Sequence, residues 1–144
     1  MFDTVLVVCV GNICRSPTGE RLLQKYLPGK NIISAGLSPL LNKPADELAC
    51  HVANDNKLSL ADHHAKKVTA DLCHEYDLIL VMERKHIDRL CKIAPEARGK
   101  IMLFGHWLQQ TEIPDPYKQS RKTFEYVYHL LDESAQQWAK ALNR

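Results

Sequence analysis

Cys9-Val10-Gly11-Asn12-Ile13-Cys14-Arg15-Ser16 lies between an apolar run, Thr4 to Val8, and a helix-like stretch, Pro17 to Tyr26. A strand that turns sharply into a helix presents backbone N–H groups at the helix N-terminus. Those groups and the helix dipole bind anions. The loop also holds a thiol, Cys9, and a guanidinium, Arg15, at its two ends. A thiolate lying where a dianion binds is a nucleophile aimed at phosphorus. The combination reads as covalent phosphoryl transfer. Gly11 and Asn12 both tolerate the positive φ that a curled loop with inward amides requires. Pro17 suits a first helical turn, where its missing N–H costs nothing. The plainer alternative is a tight strand-to-helix turn with a half-buried cysteine.

The rest of the chain bounds what this loop can do. Its 144 residues make one domain, 1–144, large enough to bury a core. A hydrophobic content of 45% and a charged content of 25% are ordinary for a soluble globule. A net charge of +2 is too mild to argue for a nucleic-acid partner. The apolar stretch at residues 4–10 is too short for membrane insertion, and Asp3 stands where a signal peptide has basic residues. A cytoplasmic protein is expected. The five cysteines, at 9, 14, 50, 73 and 91, are odd in number and not spaced as a disulfide framework. Cys9 and Cys14 could be half of a zinc site, but no second close pair completes it. No metal and no cofactor are expected.

Strands and helices alternate along the chain. Strands are expected at Thr4 to Cys9, Asn31 to Ser34, Tyr76 to Met82 and Ile101 to Phe104. Helices are expected at Thr18 to Tyr26, Ala45 to Asn56, Arg84 to Ile93 and Gln119 to Leu142, with a short one opening at Thr69 as N-cap. Leu58 to Lys67 is a charged connection with possible helical turns. Phe124, Val127, Tyr128, Leu131, Ala135, Trp138 and Leu142 form an apolar stripe that should pack on the sheet. Alternation of this kind implies an α/β fold, a parallel sheet covered on both faces, with ligands at the carboxyl ends of its strands.

Expulsion of an alkoxide or phenoxide needs an acid. The candidate is Asp115 in Ile113-Pro114-Asp115-Pro116-Tyr117, held stiff by two prolines on the loop after the fourth strand. Tyr117 could supply an aromatic wall. Alone, the segment favours a plain turn, and the presence of the Cys9 loop reverses that preference.

Together, Val8 to Pro17 and Asp115-Pro116-Tyr117 resemble the low-molecular-weight protein tyrosine phosphatase family over essentially the full length. Ser34-Ala35-Gly36 and Tyr76 to Glu83 fit as well. The chain is most similar to the bacterial branch associated with exopolysaccharide tyrosine kinases. The resemblance implies a three-layer fold with a four-stranded parallel sheet in the order 2-1-3-4, flanked by helices. It implies that Cys9 is the nucleophile, Arg15 the phosphate clamp and Asp115 the general acid. Ser16 would hydrogen-bond the Cys9 sulfur, and Asn12 would brace the loop. Val10, Gly11, Asn12, Ile13, Cys14, Leu40 and Tyr117 would bind substrate. Leu40 replaces an aromatic wall common in eukaryotic members, and Lys118 follows Tyr117 where a second aromatic often stands. The implied partner is a phosphotyrosine protein, a membrane-anchored, autophosphorylating kinase that controls capsule or exopolysaccharide production. The implied state is a monomer.

Two other readings share the loop. A thioredoxin-coupled arsenate reductase would need a relay of further cysteines; Cys73 and Cys91 are available but are 18 residues apart, on different expected helices. A non-catalytic phosphotyrosine-binding module would bind without turnover, and the set Cys9, Arg15 and Asp115 argues against it. Cys14 could also protect Cys9 from irreversible oxidation.

Overall fold

Val5, Leu6, Val7 and Val8 have no exposed surface, so the first strand, β1 (Thr4–Cys9), is covered on both faces. The computed structural model describes residues 2–143 and shows why. β1 pairs in parallel with β2 (Asn31–Gly36) on one side and with β3 (Leu78–Val81) on the other. β4 (Ile101–Leu103) extends the sheet beyond β3, giving the order β2-β1-β3-β4. This is the expected 2-1-3-4 sheet.

Side-chain alternation assigns each residue of β1 to one of two cores. Val5 and Val7 join α1 (Arg15–Tyr26), α2 (Glu47–Asp55) and α5 (Arg121–Leu142) through Leu22, Leu23, Val52 and Leu131. Leu6 and Val8 join α3 (Ala70–Glu75) and α4 (Arg84–Ile93) through Cys73 and Leu90. Each such fully buried aliphatic side chain contributes about 1.5–3 kcal/mol. The stripe on α5 packs inward as expected, and the Trp138 indole N–H donates to the Phe104 carbonyl at 2.8 Å. No helix among the described residues is long and apolar enough to cross a membrane.

Several element ends differ from the sequence reading. α1 starts at Arg15 rather than Thr18, because the loop closes straight into the helix. β2 runs on through Ala35 and Gly36, where Cys9 still has a partner, Gly36. α2 starts at Glu47, two residues late, because the Asp46 carboxylate caps it by accepting from the amides of Leu48 and Ala49. Thr69 caps α3 as expected. Residues 58–67 form no helical turns. Their end is held instead by hydrogen bonds from the Gly36 amide to the Lys66 carbonyl and from the Val68 amide to the Gly36 carbonyl.

The register puts the carboxyl ends of the strands on one edge: Cys9 lies beside Gly36, Val8 beside Val81, and Val81 beside Leu103. The loops that follow the strands converge there.

Candidate active site

The loop between β1 and α1 is held from outside by its carbonyl oxygens. Those of Cys9, Val10 and Gly11 accept from the amides of Leu37 (2.9 Å), Ser38 (3.0 Å) and Leu40 (3.3 Å). The Asn12 carbonyl accepts from His63 Nε2 at 2.6 Å, and the Ile13 carbonyl from the Asp46 amide at 2.8 Å. The amides of Val10, Gly11, Asn12, Ile13 and Cys14 donate to no acceptor among the described residues. Cys14 occupies the N-cap of α1 without a side-chain cap, so the helix adds its own unpaired first-turn amides. The result is a concave ring of donors that suits an oxyanion.

A cavity of about 220 Å³ opens over this ring, lined by Cys9, Val10, Gly11, Ile13, Cys14, Arg15, Ser38, Leu40, Asp115 and Tyr117. The Cys9 sulfur lies at its base, 2.9 Å from Ser16 Oγ. Asn12 Nδ2 donates to the same Ser16 oxygen at 2.8 Å. An amide nitrogen can only donate, so Ser16 accepts there, which leaves its own hydrogen free to point toward the sulfur.

Arg15 is buried, and its Nη1 donates to Glu83 Oε2 at 2.6 Å and to the Ile113 carbonyl at 2.8 Å. Its Nη2 approaches Asp115 Oδ2 only to 3.8 Å. Nη2 and Nε are therefore left as a planar pair of donors, fixed from behind by Nη1. Asp115 is half-exposed, and its Oδ1 accepts from the Tyr117 amide at 3.0 Å. This turn sets the carboxylate and the Tyr117 ring on the same rim.

The structure brings Cys9, Arg15, Asp115, Leu40 and Tyr117 to one cavity. Ser16 lies behind the sulfur. Two expectations need correction. The Asn12 side chain does not line the cavity, and only its backbone amide belongs to the ring of donors. Its side chain is buried, donates to Ser16 and Ser34, and accepts from the Lys66 amide at 2.9 Å. Positive φ is confined to Asn12 (57°) in this loop, and Gly11 does not adopt it.

Several contributors went unassigned in the sequence. Glu83, the Arg15 partner, is the one carboxylate directly after the apolar run of β3, which is a usable signal. Ser34 is a polar residue in an otherwise buried strand. Gly36 faces the loop: a Cβ there would lie 2.5 Å from the Val10 carbonyl oxygen. Ser38 and His63 carry no signal in a single sequence.

Electrostatics separates the groups around the cavity. Burial pushes the Cys14 thiol far up, with help from the Asp46 charge, so Cys14 stays protonated. Burial pushes His63 down, so it stays neutral and holds the Asn12 carbonyl as an N–H donor. Desolvation acts to raise Glu83, but the Arg15 hydrogen bond and charge outweigh it and hold the carboxyl below its usual range. Burial, then the Arg15 charge, takes His86 down to about 4. Cys73 and Cys91 lie on α3 and α4 and do not line the cavity. No group of three or more His, Cys, Asp or Glu side chains placed to hold a metal ion occurs among the described residues.

Residues 4–144 match the family model for low molecular weight phosphotyrosine protein phosphatase. The low molecular weight protein-tyrosine-phosphatase Wzb of Escherichia coli K12 is 60% identical over 143 residues, covering 99% of this chain and 97% of that protein. The probable low molecular weight protein-tyrosine-phosphatase AmsI of Erwinia amylovora is 58% identical over 144 residues, covering 100% of both. The structure of Vibrio vulnificus Wzb in complex with benzylphosphonate superposes with a TM-score of 0.96 at 55% identity, covering 98% of this chain and 99% of that one.

Proposed function

This chain belongs to the low molecular weight phosphotyrosine protein phosphatase family, and on that premise we propose that it hydrolyses protein phosphotyrosine through a cysteinyl-phosphate on Cys9. One observation carries the reading: the thiol of Cys9 and the free fork of Arg15 share a ring of unpaired amides, with Asp115 and Tyr117 on the rim.

In the first step the Cys9 thiolate attacks phosphorus. The S–P bond forms as the bond to the phenolic oxygen breaks, and protonated Asp115 gives its proton to that oxygen. The transition state spreads charge over three equatorial oxygens, which the loop amides and the Arg15 fork are placed to receive. In the second step Asp115, now a carboxylate, takes a proton from water. The water oxygen bonds to phosphorus, the S–P bond breaks, and phosphate leaves. Leu40 and Tyr117 are the apolar and aromatic walls for the phenyl ring. Relatives named as tyrosine phosphatases, and a neighbour crystallised with an aryl-type phosphonate, support this assignment.

The resemblance to the bacterial branch carries the reading to a partner. The substrate is an autophosphorylated, membrane-anchored tyrosine kinase controlling capsule or exopolysaccharide production, met from the cytoplasmic side by a monomeric phosphatase.

The test is rapid-quench kinetics on an aryl phosphate. A stoichiometric burst of phenol, with label trapped on Cys9 by an alkaline quench, is expected. Cys9→Ser should bind inorganic phosphate without turnover. Substantial activity in that variant would remove Cys9 from the nucleophile role. Incubation with phosphorylated kinase, read by phosphotyrosine loss, tests the partner separately.

A further inference from the structure

Arg89 is an exposed cation at the cavity mouth with no ion-pair partner among the described residues. It lies on α4, and its Nη2 donates to Ser38 Oγ at 2.9 Å. Ser38 lines the cavity beside Leu40, and its amide is tied to the Val10 carbonyl at 3.0 Å. One serine therefore separates the Arg89 guanidinium from the phosphate-binding loop. Of the other basic residues on the helix, Arg84 approaches Glu112 at 3.9 Å and Lys85 approaches Glu83 at 3.5 Å, and Lys92 makes no hydrogen bond to Ser38. Arg89 is held by a neutral hydroxyl alone. One of its five N–H donors is used, and its full charge remains.

The charges around the mouth are unequal. The groove next to the active cavity, on the α2 side of Tyr117, carries Asp46, Glu47 and His51 as well as Lys118. The Ser38–Leu40 rim carries Arg89. An anion entering with the substrate is therefore disfavoured near Asp46 and Glu47 and favoured near Ser38. In an extended peptide, the side chains two residues either side of the phosphotyrosine lie about 7 Å from it along the chain. That separation is within reach of an arginine anchored at the rim.

We propose that Arg89 is a specificity-determining residue that selects phosphotyrosines with an anionic side chain nearby in sequence, and that it seats this anion on the α4 side of the mouth. The proposal rests on the phosphatase reading and narrows its substrate class. The anion can be a carboxylate or the phosphate of a second phosphotyrosine, since both accept a bidentate fork. A structural brace on residues 37–40 is the competing role for Arg89.

The test compares kcat/KM on four phosphotyrosine peptides, flanked by alanine, by glutamate, by lysine and by a second, phosphatase-resistant phosphotyrosine mimic. The glutamate-to-alanine ratio, read within each protein, cancels any general loss of activity. An exposed ion pair predicts a ratio up to about 5 for the wild type, and a dianion about 10. The ratio should shrink at high salt, because the pair is exposed. Arg89→Ala should bring both ratios to about 1, and Arg89→Glu should invert them in favour of a lysine-flanked peptide. Greater gain from the mimic than from glutamate assigns the site to phosphate, and equal gain assigns it to carboxylates. A wild type that hydrolyses 4-nitrophenyl phosphate yet shows no preference, or a preference that survives Arg89→Ala, overturns the proposal and leaves the phosphatase reading standing. Failure to hydrolyse any aryl phosphate overturns both.

Discussion

Gly36→Ala tests the idea that the second strand shapes the phosphate-binding loop. Gly36 has no positive φ, so alanine meets no backbone strain there. The whole effect is steric. A Cβ would stand 2.5 Å from the Val10 carbonyl oxygen, 3.0 Å from Asn12 Cβ and 3.2 Å from the Asn12 nitrogen, whereas ordinary contact begins at 3.4 Å. The carbonyl would have to retreat by about 0.9 Å, the difference between 3.4 and 2.5 Å. It cannot retreat freely, because it accepts from the Ser38 amide at 3.0 Å, and Asn12 is fixed by four further bonds. Overpacking of this kind costs about 1–3 kcal/mol of stability. A displacement near 1 Å in a reacting constellation costs about 10²-fold in rate. The assay pairs urea unfolding with kcat/KM on an aryl phosphate and with phosphate affinity as a product inhibitor. The expected outcome is a folded variant, weakened in phosphate binding and about 10- to 100-fold slower. Gly29→Ala and Gly99→Ala are the controls, since a Cβ at either meets nothing within 4 Å. A Gly36→Ala enzyme with wild-type kinetics would refute the reasoning.

Arg15→Lys should be severely damaging although charge is kept, because lysine cannot hold Glu83 and the Ile113 carbonyl while offering a planar pair to phosphate. Near-normal kcat/KM would reject the clamp. Asp115→Asn keeps an acceptor for the Tyr117 amide, so the loop should hold its shape. It should lose about 10²–10⁴ in turnover on a poor leaving group and much less on an acidic phenol. Equal losses on both would point to a structural role. Stability should fall in acid in two stages. His86, depressed to about 4 from 6.5, stays neutral in the fold while the unfolded chain takes up a proton, so about 3 kcal/mol is lost as pH falls from 6.5 to 4. Glu83 is also depressed, so its pairing with Arg15 is present above the ordinary carboxylate range and is lost as pH falls through its folded value. Urea midpoints that stay flat between pH 6.5 and 4 would contradict the His86 stage, and midpoints that stay flat as pH falls below 4.5 would contradict the Glu83 stage. Cys14→Ser should recover less activity than wild type after peroxide followed by reductant. Absence of a Cys9–Cys14 disulfide in peptide mapping would dismiss that protection.

What could be read in the sequence was whatever lies close together in it. The run from Thr4 to Ser16 is a strand and a loop in one stretch, so its thiol, guanidinium and anion-binding turn are adjacent letters. Asp115-Pro116-Tyr117 is likewise a local turn with its acid and its wall. The strand order came from the resemblance, since alternation alone does not choose among parallel topologies. What stayed hidden depends on that order. Glu83 follows β3 and reaches Arg15 only because β3 neighbours β1. Gly36 ends β2, Ser38 lies two residues beyond it, and His63 comes from a connection with no periodicity at all. Gly36 lies beyond the expected strand, Asn31 to Ser34, yet it is a paired residue whose missing side chain makes room for the loop. Asn12 shows the opposite error: a polar residue inside a binding loop reads as a contact, but its amide serves three partners behind the loop.

The loop's carbonyls are all engaged while its amides from Val10 to Cys14 are not. In most backbone, the bond that fixes a residue is also the bond that shields its amide hydrogen from solvent. Here the two are separated. The loop is anchored through its oxygens, so in deuterated water its amide hydrogens should exchange fast although the chain does not move. An oxyanion in the cavity would then slow their exchange without reshaping the backbone. Isotope uptake over residues 10–14 thus becomes a direct count of occupied sites, usable with substrates whose turnover releases no colour.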